Sequence, residues 1–128
     1  MSPRLMLALG AASGFLSVAL GAFGAHGLKH RIGADLLAIF HTGVDYQAMH
    51  ALALLACGLL ALQRPSRALS AAGWGFVIGS LIFSGSLYVL TLTGLRWLGA
   101  ITPIGGIAFL IGWACLVYAA WQFRTAPR

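Results

Sequence analysis

The chain has 128 residues, 60% of them hydrophobic and 8% charged, with a mean hydropathy of +0.92 and a formal net charge of +6. A soluble domain uses roughly 25% charged residues to cover its surface, so a water-exposed globular fold is excluded, while about four membrane spans of ~20 residues fit the length. The eight cations are scattered at the ends of apolar runs and form no basic stripe, which points to lipid headgroups as partners and excludes nucleic acid.

The first predicted span covers about 5–25. Arg4, an apolar run and small residues also resemble a secretory signal, but three further apolar runs follow and favour a retained helix. Gly10 and Gly14 form a GxxxG pair, with Ser13, Ser17 and Gly21 nearby; such small-residue stripes let helix backbones approach closely in lipid. The span ends in Gly-Ala-Phe-Gly-Ala-His-Gly, residues 21–27, followed by Lys29, His30 and Arg31. Glycines there let the chain turn closely over the helices, and His26 is predicted to drop toward the second span. After Gly33, a short amphipathic helix ending near Phe40 is predicted along the headgroup boundary.

The clean apolar run of the second span, Ala48 to Leu62, reaches only about 22 Å at 1.5 Å per residue. A hydrocarbon core of ~30 Å needs roughly five residues more, and Gln63, Arg64 and Pro65 block the far end. The span is therefore predicted over about 43–62, which draws Asp45, Tyr46, Gln47 and His50 into the membrane margin. His41 and Asp45 are predicted to interact at i, i+4. The third span, about 69–92, carries a second GxxxG pair, Gly75 and Gly79, and a polar stripe of Ser80, Ser84, Tyr88 and Thr91. Thr102 and Pro103 read as N-cap and first helical residue of the fourth span, about 102–123. Trp74, Trp97 and Trp121 sit near span ends as interfacial aromatics do, and mid-span Trp113 reads as packing. Cys57 and Cys115 lie inside apolar runs at no zinc spacing and read as small buried hydrophobes.

The fold class is thus all-α, an integral membrane four-helix bundle with short loops, one interfacial helix and a single domain. Arg4, Arg64, Arg67, Arg124 and Arg128 fall on the side of the termini, against Lys29, Arg31 and Arg96 opposite. The bias places both termini in the cytoplasm.

Four separated segments, Gly-Ala-Phe-Gly-Ala-His-Gly-Leu-Lys at 21–29, Tyr46 to Leu55, Phe83 to Gly94 and Trp97 to Gly106, together resemble the YgdD/YwdK family of small uncharacterised bacterial inner-membrane proteins, related to a mitochondrial-type membrane protein of animals. The resemblance spans nearly the whole chain. It implies a four-helix inner-membrane protein and no stated activity.

Depth counting places His26, Gln47, His50, Ser84, Tyr88 and Thr102 at related levels in the outer half of the bundle, one or more on each span. Polar groups in lipid turn inward and pair. A satisfied network that fixes packing is the primary expectation, with His50 bonded to Tyr88, Gln47 to a neighbouring backbone and His26 to a loop carbonyl. Alternatives are a pocket for a small or lipidic ligand such as a quinone or lipid headgroup, and a proton or small-solute path through His26, His50 and Asp45. Haem or metal held by His26 and His50 is the weakest alternative, because the histidine spacings match no compact ligand motif, and no cofactor is expected. Only Asp35 and Asp45 are carboxylates, and neither a nucleophile elbow nor a phosphate loop occurs, so the chain is not expected to be an enzyme. The expected role is a structural or interaction module, with a homo-oligomer through the glycine faces or a larger membrane complex as partners.

Overall fold

In the computed structural model, which describes residues 1–123, the chain forms four long helices joined by short connections: α1 (Pro3–His26), α2 (Ala34–Gln63), α3 (Arg67–Thr93) and α4 (Thr102–Gln122). Arg124 and Arg128, counted above for orientation, lie outside the described residues. All four helices are long and apolar enough to cross a membrane. Their boundaries follow local chemistry. The Ser2 hydroxyl accepts from the Leu5 N–H at 3.2 Å and Pro3 opens α1. Ser66 caps α3 in the same way through Leu69 at 3.1 Å. Both satisfy donors that a helix start leaves orphaned. Gly94 closes α3 with φ 74°, a left-handed conformation that only glycine adopts without strain.

The connections at the end opposite the termini contain two short 3-10 segments, Leu28–His30 and Arg96–Ala100. Residues 34–40, predicted as a separate interfacial helix, instead run without a break into α2. The second helix therefore starts at Ala34 rather than near Gly43, and its 30 residues span ~45 Å. Its first turns overshoot a ~30 Å hydrocarbon core. At that exposed start, Asp35 meets Arg96 of the α3–α4 connection at 2.9 Å. With both side chains well over half exposed, the pair contributes little stability.

The helices pack in chain order as a row: α1 on α2, α2 on α3, α3 on α4. Helices α1 and α3 both flank α2 but make at most marginal contact with each other. Half of α2's most apolar stretch is buried inside the protein, against 17% for both α1 and α4, so α2 is the central element and the outer helices turn mostly to lipid. One core cluster gathers Met6, Leu54, Cys57, Leu69, Phe76 and Phe109; a smaller one near the opposite end holds Leu28, Phe40 and Val44. Cys57 is fully buried in the first, and Cys115 packs against it.

Three of the four predicted packing glycines are consumed inside the chain. A Cβ on Gly10 would meet Leu55 at 2.8 Å, on Gly75 the Ala108 carbonyl at 2.9 Å, and on Gly79 the Phe109 ring at 2.3 Å. Gly14 has nothing within 4 Å. The tightest backbone contact is at Gly105, where a Cβ would lie 2.4 Å from the Phe83 nitrogen. Backbone cannot yield as a flexible side chain can, so Gly105→Ala is expected to cost at least the ~1–3 kcal/mol of an overpacked core. Gly14→Ala is expected to be neutral or to gain up to ~1 kcal/mol from helix propensity. Thermal unfolding of the two purified variants in the same detergent checks the contrast.

Candidate functional site

The second helix presents Gln47 and His50 to different neighbours. Gln47 is buried and bridges the helices on either side. Its Nε2 donates to the Ser13 carbonyl of α1 at 3.0 Å, and its Oε1 accepts from the Tyr88 hydroxyl of α3 at 2.6 Å. One amide thus links, at this level, two helices whose backbones make at most marginal contact and whose other meeting point is the Met6 packing and the Met1–Ser70 bond at the end of the termini. One turn toward the start of α2, the Gly43 carbonyl accepts from the Ser84 hydroxyl at 2.7 Å, a second bond between α2 and α3. Gly43 is required there, since a Cβ would lie 2.8 Å from the Tyr88 ring.

His50 turns toward α4. Its Nδ1 lies 2.7 Å from the Tyr46 carbonyl, which can only accept, so Nδ1 carries the proton. Its Nε2 accepts from the Trp113 indole N–H at 3.0 Å. The two contacts fix the neutral Nδ1–H tautomer, because a second proton on Nε2 would face the indole N–H. The imidazole stacks on Phe109 with centroids 3.5 Å apart and planes 9° apart, and Phe76 and Trp113 close further sides. Among the described residues no buried side-chain nitrogen or oxygen lacks a partner.

The predicted site residues separate accordingly. Gln47 bonds a neighbouring backbone as expected. The predicted His50–Tyr88 bond does not form: Tyr88 pairs with Gln47, and His50 pairs with Trp113, a residue assigned to packing alone. Residues 47 and 50 are three apart and share a face of the helix, and the ~60° between them lets Gln47 reach α1 and α3 while His50 reaches α4. Ser84 joins the layer through Gly43 rather than through a side chain. Thr102 does not act as an N-cap; its hydroxyl shares a 2.6 Å bond with Ser86, a buried α3 residue outside the predicted stripe. His26 is exposed and makes no hydrogen bond to a described residue, so it is not a member of the layer. The buried Gly24 beside it does shape that rim, since a Cβ there would meet the Phe40 ring of α2 at 3.0 Å. His41 and Asp45 form no ion pair, and Asp45 is exposed.

His50 is 13 residues from the end of α2 at Gln63, or ~20 Å, which in a ~30 Å core leaves it ~10 Å from the side opposite the termini, while Tyr88 and Thr102 lie nearer that side. The missed partner had a signal: an indole N–H in hydrocarbon needs an acceptor, and Trp113 is mid-span.

Because the helices form a row, grooves remain on its faces. One, of about 390 Å³, lies between α1 and α3 with α2 as its floor; Ser13, Gln47, His50, Ser80, Gly85 and Tyr88 are among its lining residues. A second, of about 430 Å³, lies between α2 and α4 beside Tyr46, His50, Phe83 and Trp113.

Four apolar helices in a row, joined by a hydrogen-bonded layer inside the membrane span, define a small multi-pass integral membrane protein. The chain belongs to the DUF423 family, a family of unknown function whose model matches residues 20–106. It is 45% identical over 121 residues to the UPF0382 membrane protein YwdK of Bacillus subtilis, covering 94% of this chain and 98% of that protein. It is 43% identical over 124 residues to the UPF0382 inner membrane protein YgdD of Escherichia coli K12, covering 97% of this chain and 95% of that protein. No solved structure matches it.

The bridge at Gln47 yields a quantitative expectation. Tyr88→Phe removes one hydrogen bond while keeping the ring against Phe40, and is expected to cost about 0.5–1.5 kcal/mol. Gln47→Leu removes both bonds and strands the Tyr88 hydroxyl, and is expected to cost about 1–3 kcal/mol. In a double-mutant cycle of the two, the coupling should be near the ~0.6 kcal/mol typical of interhelical bonds in membranes, or larger. Reversible unfolding in mixed micelles gives each value.

Proposed function

We propose that the protein is a structural and interaction module of the inner membrane, not an enzyme, in which the polar layer fixes how four apolar helices are arranged. The observation that carries this reading is saturation: the layer's buried polar atoms are already partnered inside the chain. Interhelical hydrogen bonds in lipid are individually weak but directional, so a closed set of them specifies geometry more than it adds stability. His50, with both ring nitrogens engaged and an aromatic ring stacked on its face, supports a packing role over that of haem ligand or proton relay. The cation distribution supports both termini on the cytoplasmic side. Large apolar residues turned outward, such as Phe15 and Val18 on α1 and Leu110 and Val117 on α4, supply surface for lipid or for a second membrane protein. Since Gly10, Gly75 and Gly79 are occupied internally, Gly14 is the one of the four predicted packing glycines that remains open for association between copies.

A second reading, a module that binds a lipidic ligand, is favoured by one feature, the groove between α1 and α3. The structural reading is tested in liposomes. Wild-type protein should pass no more protons under a pH gradient than empty vesicles do, and its absorption spectrum should carry no Soret band. A flux abolished by His50→Ala, or a haem spectrum lost in that variant, would overturn it.

A further inference from the structure

The groove between α1 and α3 gathers polar groups that the chain leaves unused. The hydroxyls of Ser13 and Ser80 both line it and make no hydrogen bond to any described residue. Gln47 uses one Nε2 hydrogen on the Ser13 carbonyl and its oxygen on Tyr88, which leaves its second Nε2 hydrogen unused. The three residues that carry these unused donors line one apolar cleft, whereas Tyr88 and His50 already use their own protons on Gln47 and the Tyr46 carbonyl.

Depth and charge select the occupant. Ser13 is nine residues from Arg4, or ~14 Å along the helix, and Ser80 is 13 residues from Arg67, or ~20 Å. In a hydrocarbon core of ~30 Å Ser13 lies at about the midplane and Ser80 ~5 Å beyond it, both well below the headgroups. A phospholipid keeps its charged head at the interface, so it can offer this level only tail methylenes, which leave the three donors unpaired. No charged side chain lines the groove, so nothing there would hold an anion. A volume of about 390 Å³ falls within the range of small-molecule sites. Gly85 leaves the wall open, with nothing within 4 Å of where its Cβ would be.

We infer that this groove binds an uncharged lipid with a carbonyl-bearing head on a hydrocarbon tail, of the quinone class, with the two carbonyl oxygens of the head accepting from Ser13, Ser80 and Gln47. The ligand enters sideways from the bilayer. The site does not depend on His50, whose nitrogens stay engaged with Tyr46 and Trp113. The inference goes beyond a purely structural role: the layer holds the groove open, and two serine hydroxyls outside it, with the spare Gln47 hydrogen, recognise the head.

The full chain in lipid nanodiscs, titrated with decylubiquinone while native tryptophan quenching is followed, tests it. Wild type should bind saturably. Ser13→Ala with Ser80→Ala should weaken the midpoint about tenfold, the loss of two ordinary hydrogen bonds, with the melting temperature unchanged. Gly85→Leu should fill the cleft and abolish binding, whereas Gly14→Ala, on the groove at the other side of α1, should leave it intact. Absence of saturable binding, an unchanged midpoint in the double serine variant, or equal displacement by phosphatidylglycerol would overturn the inference. If Gly85→Leu does not fold, the serine variant alone decides.

Discussion

The Gln47 amide is the constraint on which the rest of the arrangement depends. In a membrane there is no water to hide from, so apolar helices gain little by choosing one neighbour over another. Dispersion between close backbones and directional polar bonds must choose for them. Close backbones do so for α3 and α4, where Gly75, Gly79, Gly105 and Gly112 bring the two helices into van der Waals contact. They do so for α1 and α2 through Gly10 and Gly58. Between α1 and α3 no glycine brings backbone against backbone; at the end of the termini Met6 packs on Leu69, Gly73 and Phe76, and the amino terminus of Met1 donates to the Ser70 hydroxyl. At the level of the layer Gln47 supplies the link, donating to one helix and accepting from the other, and so sets the width of the groove between them.

The same logic explains why α2 holds the polar residues. It is the central helix of the row, and a polar side chain there can reach a neighbour on either side without facing lipid. Gln47 reaches α1 and α3; His50, a turn away, reaches α4 through Trp113. A glutamine or histidine at the outward positions of α1 or α4 would meet hydrocarbon and cost several kcal/mol unpaired. The layer is thus a consequence of the order of packing. A row, unlike a closed bundle, also leaves side grooves, and these are where the chain has capacity to spare.

Much of this was legible in the residues, and the failures are instructive. The number, type and approximate ends of the helices follow from apolar run length, with Gln63, Arg64 and Pro65 and then Thr102 and Pro103 marking breaks. The start of α2 was misjudged because charge near Asp35 reads as an interface. The helix simply protrudes, and its exposed first turns need no lipid-compatible sequence. Gln47, His50, Ser84, Tyr88 and Thr102 stand out in the sequence as polar groups in need of partners and each has one in the structure, but the pairing is not legible, because depth alone does not give helix rotation. His26 was included on depth and glycine context, but the rim glycines serve the approach of Phe40 and leave the histidine outside. Ser86 escaped notice because it lies off the i, i+4 stripe, on the side of α3 that faces Thr102.

The claim that Gln47 fixes α1 relative to α3 is tested most directly by pulsed electron–electron distance measurement between spin labels at Leu16 and Leu81, both exposed on facing walls of the groove. The labels require a background in which Cys57 and Cys115 are replaced by alanine. With Gln47 present, the account predicts one narrow distance distribution; in Gln47→Leu it predicts a broader one with a longer mean, while a label pair across α3 and α4 is unchanged. An identical narrow distribution in Gln47→Leu would show that the backbones alone hold the row, and would contradict the account.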